Sequence, residues 1–75
     1  MVVPLSALPP ELRAAWPPLA IGGSIYSDNP ASRFIMANGQ VVREGQTAAP
    51  GVVVERIGRS AVVLLWRGLR VEVPV

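Results

Sequence analysis

The stretch Tyr26 to Gly45, YSDNPASRFIMANGQVVREG, constrains this chain most. It opens on the end of an apolar strand, crosses a polar turn at Ser27-Asp28-Asn29-Pro30, runs through Arg33-Phe34-Ile35-Met36-Ala37, and reverses at Asn38-Gly39. Asn-Gly between two apolar runs is the strongest short-range hairpin signal, because both residues accept the positive φ of a type I′ turn. Whatever the chain builds must therefore contain an antiparallel β-hairpin at its centre.

The same grammar continues to the end. Leu19 to Ser27 reads as a first strand, with Leu19, Ile21, Gly23 and Ile25 on one face and Ala20, Gly22, Ser24 and Tyr26 on the other. Its glycine pair marks a bulge or a close approach of another backbone, and leaves the strand thinly furnished with side chains. Arg33 to Ala37 and Gln40 to Arg43 are the two hairpin arms. After breakers at Glu44-Gly45-Gln46 and Ala48-Ala49-Pro50-Gly51, strands are expected over Val52–Ile57, Ala61–Trp66 and Leu69–Val73, the last with Leu69, Val71 and Val73 inward. Six short strands joined by hairpin-length links predict a small all-β domain, a six-stranded antiparallel β-barrel or sandwich, over residues 19–75.

Residues 1–18 differ in character. Five prolines, at 4, 9, 10, 17 and 18, forbid a strand that pairs along its whole length. Between the two Pro pairs, Glu11-Leu12-Arg13-Ala14-Ala15-Trp16 favours one or two helical turns, with Pro10 at the first position, Glu11 near the positive end and Pro17 as the stop. The expectation is a proline-rich lead-in with a short helix, followed by the β domain.

Composition narrows function. At 75 residues the chain makes one domain at most, one that buries only about 60% of its unfolded surface. With no cysteine and no histidine it lacks disulfides, thiolate chemistry and the usual zinc ligands. All seven basic residues are arginine, so no lysine supplies an amine nucleophile. A general base needs an activating partner, and five scattered carboxylates with a few hydroxyls do not provide one. The residues point to no enzyme, no cofactor and no metal. Asp28 and Arg33 are expected to form a loop-stabilising ion pair, and Glu44 to close its turn by accepting backbone N–H bonds. No apolar run approaches the ~18 residues of a bilayer span, and no signal peptide is apparent. If a longer parent protein is exported or anchored, its targeting part lies outside these residues.

Two binding roles remain. The arginines near the strands could line a nucleic-acid platform, but net charge is only +2 and the aromatics are limited to Trp16, Tyr26, Phe34 and Trp66. Phe34 and Trp66 are expected in the core. The stronger reading is a protein-interaction module, because a glycine-thinned first strand preceded by prolines is a candidate edge for strand addition by another protein. Tyr26 either anchors its turn or is offered to a partner. A structural subdomain of a larger enzyme is a further alternative.

The order of features also carries a resemblance. LPPELR and WPPL in the lead-in, then IYSDNPASRFIMANG, VREGQ, PGVVVERI and SAVVLLWRGLRV resemble the C-terminal periplasmic domain of the type II secretion (general secretion pathway) protein B family. The likeness runs from about Leu8 to Val73. Its most specific part is Tyr26-Ser27-Asp28, Pro30, Arg33-Phe34, Asn38-Gly39 and Arg43-Glu44-Gly45. It implies a fold similar to the homology region of secretion protein C and to the periplasmic domain of pilus lipoprotein P. It also implies a non-catalytic periplasmic domain of an inner-membrane protein, which binds the N-terminal periplasmic domain of the outer-membrane secretin and helps its assembly or stabilisation, in some systems beside the secretion ATPase protein A. Combined with the thinned strand, this puts the expected contact surface at Ser24, Ile25, Tyr26, Ser27 and Asp28, with Arg33 beside them.

Overall fold

The structure, a computed structural model, describes all 75 residues. Strands β1 (Val2–Pro4), β2 (Ile21–Ile25), β3 (Phe34–Ala37), β4 (Gln40–Val42), β5 (Thr47–Ala49), β6 (Val52–Ile57), β7 (Ala61–Trp66) and β8 (Leu69–Pro74) are joined by one helix, α1 (Pro10–Ala15), and two single 3₁₀ turns. The fold is all-β, as the strand pattern requires. It is not a closed barrel: the strands divide into a five-stranded sheet of order β1-β8-β7-β6-β5 and a three-stranded sheet of order β2-β3-β4.

The six expected strands are present, and two short ones join them. β1 runs parallel to β8, pairing Val2 with Arg70 and Val3 with Val71. Pro4 ends β1 on the outside of the sheet, where a missing N–H costs no ladder bond. β5 pairs with β6 through an irregular register, Thr47 with Val53 and Ala49 with Val52. Neither carries the alternating apolar pattern that makes a strand visible, since their pairing is supplied by stronger neighbours.

The hairpins follow local chemistry. Asn38 (φ 52°) and Gly39 (φ 82°) link β3 to β4, and Arg67 (φ 52°) with Gly68 (φ 75°) link β7 to β8. Asn38 also acts over a distance. Its Oδ1 accepts from the Ala20 N–H at 2.8 Å, its Nδ2 donates to the Pro18 carbonyl at 3.2 Å, and its N–H donates to the Ala20 carbonyl at 2.9 Å. The central hairpin thereby holds the segment that leads into β2.

Twelve buried residues form one core between the two sheets. The smaller sheet contributes Ile35, Ala37 and Val42, and the larger one Ala49, Val52, Val54, Ile57, Val62, Leu64, Trp66 and Val71. In β6 the alternation changes phase: the register shifts between Val54 and Arg56, so Ile57 turns inward. Without that bulge, strict alternation would bury Arg56. The lead-in is packed onto this body. Leu8 is buried, Leu5, Leu12 and Trp16 rest against the core, and the Trp16 ring meets Trp66 edge to face at 5.1 Å.

Two expectations about side-chain direction are overturned. Phe34 is not in the core. It lies half-buried opposite Ile25, on the outer face of β3, because Ile35 and Ala37 take the inner positions. The first strand does not keep Ile21 and Ile25 on one face either. A bulge at Gly22-Gly23 sets Ile21 opposite buried Ala37 but Gly23 opposite Met36, so Ile25 emerges on the outside, 51% exposed. One extra residue in a period-2 element reverses every later side chain.

Candidate protein-docking edge

β2 is an outer strand of the smaller sheet, hydrogen-bonded to β3 and to no other strand. Its second edge therefore presents backbone donors and acceptors, as edge strands do. The face beside that edge is apolar: Ile25 stands opposite Phe34, and Met36 opposite Val41, which is 52% exposed. Ser24 points the other way, opposite buried Ile35.

The chain leaves β2 through Tyr26 and turns on its own side chains. The Ser27 hydroxyl accepts from Asn29 N–H at 3.2 Å, and Asn29 Oδ1 accepts from Ala31 N–H at 3.1 Å, capping the 3₁₀ turn Pro30–Ser32. That turn aims Arg33 back under the strand. Its Nε donates to the Ser27 carbonyl at 2.6 Å and its Nη2 to the Tyr26 hydroxyl at 3.3 Å, with the guanidinium carbon 4.6 Å from the Tyr26 ring centroid.

Glu44 completes the arrangement. Its Oε2 lies 3.4 Å from Arg33 Nη1 and also accepts the Ile57 N–H at 2.8 Å. Arg33 and Glu44 are 13% and 22% exposed, so the pair is shielded enough to hold geometry. One carboxylate thus joins the β2–β3 turn to the far end of β6. The expected Asp28–Arg33 pair does not form: Arg33 turns inward to Glu44, while Asp28, in solvent, lies 3.9 Å from Arg59. Glu44 does accept a backbone N–H, but from Ile57 across the molecule rather than within its own turn.

Of the six residues expected at a contact surface, Tyr26, Ser27 and Arg33 share this network, Asp28 stands at its solvent side, and Ser24 and Ile25 lie on the edge strand. Sequence reasoning missed Arg59, whose guanidinium also lies over Tyr26, 5.2 Å from the ring centroid. No local signal links positions 26 and 59; only the packing of the two sheets does. The remaining arginines do not gather into a stacking groove. Arg70 pairs with Glu55 at 3.0 Å, Arg67 covers Trp66, and Arg43 donates to the Ala31 carbonyl. The side chains of the region brace one another. Every carboxylate in it already has a cation, and no hydroxyl has a base.

A family model described as type II secretion system protein B matches residues 16–75. General secretion pathway protein B of Aeromonas hydrophila is 44% identical over 70 residues, which is 93% of this chain but 31% of that protein's length. The crystal structure of Dickeya dadantii GspB from the type 2 secretion system is similar with a TM-score of 0.71 and 27% identity, covering 75% of this chain and 67% of that one.

Proposed function

This chain belongs to the type II secretion system protein B family, and from that membership we propose that it is a non-catalytic periplasmic docking domain for the N-terminal periplasmic domain of the outer-membrane secretin. The observation that carries the reading is the free edge of β2, with exposed Ile25 beside it and the braced Tyr26–Arg33 turn at its end. A partner strand added there gains main-chain hydrogen bonds along the edge and apolar contact on the outer face. The Arg33–Glu44 brace supports this role by fixing where the edge ends, so little ordering is left for the partner to impose.

In this reading the domain helps place or stabilise the secretin from a parent protein anchored in the inner membrane, with the secretion ATPase protein A as a second candidate partner. No helix of the chain is long and apolar enough to cross a membrane. The chain spans under a third of its Aeromonas relative, so anchoring would fall to other parts of such a protein. Nothing in the family or in the arginine placement favours nucleic acid.

The test is a titration of isotope-labelled domain with the purified N-terminal secretin domain. Amide signals of Ser24 to Asp28 and of Arg33 should move first. A spectrum unperturbed at high micromolar partner would sink the reading.

A further inference from the structure

Gly22 and Gly23 together form the bulge opposite Met36, and neither puts a side chain on the outer face. A Cβ built on Gly23 meets no atom within 4 Å, and one on Gly22 only the Met36 Cβ at 4.0 Å. Neither glycine has the positive φ that would demand glycine for backbone reasons. Glycine in a strand interior weakens the strand relative to alanine. The outer face is thus bare of side chains at Gly22 and Gly23, a gap of exposed backbone between Met36 on β3 and the free edge.

A strand adding to that edge would bring a side chain within about 5 Å of Gly23 on the same face. A small side chain would leave the gap open, whereas a flat ring lying across the glycine backbone fills it and reaches Met36, as aromatic residues do over edge glycines elsewhere. Charge sets the other end. Arg59 is 79% exposed, sits over the Tyr26 ring just beyond β2, and has for a counter-ion only Asp28, at 3.9 Å in open solvent. A carboxylate on the incoming strand would meet that guanidinium with better geometry than Asp28 does.

We propose that the Gly22-Gly23 gap is the specificity pocket of this edge, and that its occupant is a partner β-strand carrying an aromatic residue opposite Gly23 and a carboxylate about two to four residues away, where it reaches Arg59. The proposal rests on the docking role assigned to β2 above and deepens it. It explains why the strand tolerates two weak positions: the missing side chains are supplied by the partner.

The test uses the chain as it stands and the purified N-terminal secretin domain as probe. Gly23→Val fills the gap with a residue suited to strands, and should melt no lower than the unmodified domain while binding about tenfold more weakly. If Gly23→Val does not fold, Gly23→Ala replaces it with the same criterion. Replacing each strand aromatic of the secretin domain by Ala in turn should identify one whose loss weakens binding to the unmodified chain but not to Gly23→Val, the non-additivity expected of two groups in contact. Arg59→Glu should weaken binding at low salt and lose its effect at high salt. Binding by the filled variant within twofold of the unmodified chain overturns the pocket and leaves the edge reading intact. An Arg59→Glu variant that binds undiminished overturns the carboxylate. Failure of the unmodified chain to bind overturns both the pocket and the docking role.

Discussion

Replacing Glu44 by alanine tests how the two sheets are held in register. The change removes the acceptor of the Ile57 N–H (2.8 Å) and the counter-ion of Arg33 (3.4 Å) at once. A hydrogen bond to a charged acceptor contributes about 1.5–3 kcal/mol. Stripping one member from a fully buried ion pair costs about 3–5 kcal/mol. That figure has to be discounted here, because the pair is 13% and 22% exposed and Arg33 keeps the Ser27 carbonyl and the Tyr26 hydroxyl. A net loss of about 2–3 kcal/mol is expected, against a total stability of roughly 4–11 kcal/mol for a domain of this size. At about 4–8 °C per kcal/mol, the melting temperature should fall by some 10–20 °C.

Glu44→Gln separates the two contributions. Its amide oxygen still accepts from Ile57 but brings no charge to Arg33, so it should lose about 1 kcal/mol. Chemical denaturation monitored by tryptophan fluorescence reads both, since Trp66 is buried in the core and Trp16 packs against it. Asp28→Ala is the control, its carboxylate being in open solvent, and should leave the midpoint unmoved. A Glu44→Ala variant within about 0.5 kcal/mol of the unmodified chain, the range of ordinary surface changes, would refute the bracing role.

Asn38→Gly keeps the left-handed conformation at φ 52° and the backbone bond to the Ala20 carbonyl but removes the side-chain bonds to the Ala20 N–H and the Pro18 carbonyl, and should cost about 1–2 kcal/mol. Asn38→Ala adds backbone strain and should cost more than Asn38→Gly; the reverse order in urea midpoints would count against the anchoring of residues 18–20. Trp16→Ala, at a half-buried ring packed edge to face on Trp66, should lose about 2–3 kcal/mol, below the 3–5 kcal/mol of a fully buried Trp. An unchanged denaturation midpoint would mean that the lead-in does not hold to the core in solution.

How much of this was legible in advance divides along a physical line. Alternation is a property of neighbouring residues, so Leu69, Val71 and Val73 could be assigned to the inner face from spacing alone, whereas the unbroken apolar run Ala61–Trp66 shows a strand but not which face is inner. Asn38-Gly39 could be placed in a hairpin because left-handed backbone is a preference of the residues themselves. Bulges break this locality. The glycine pair announced an irregularity, but its exact register, which sends Ile25 outward, depends on how β2 lies on β3. The shift at Glu55, which saves Arg56 from burial, left no mark in the sequence.

The sequence by itself therefore determined an all-β domain, its main strands and its central hairpin. Tertiary structure alone decided that β1 would pair parallel to β8, that Glu44 would accept the Ile57 N–H, and that Arg59 would arrive over Tyr26. The reason is that strand period and turn conformation act over a few bonds, whereas ion pairs and edge partners answer to distance in space. Arg33 and Glu44 flank the β3–β4 hairpin in the register that pairs Ile35 with Val42, whereas Glu44 reaches the Ile57 N–H and Arg59 reaches Tyr26 only after two sheets have closed over a common core.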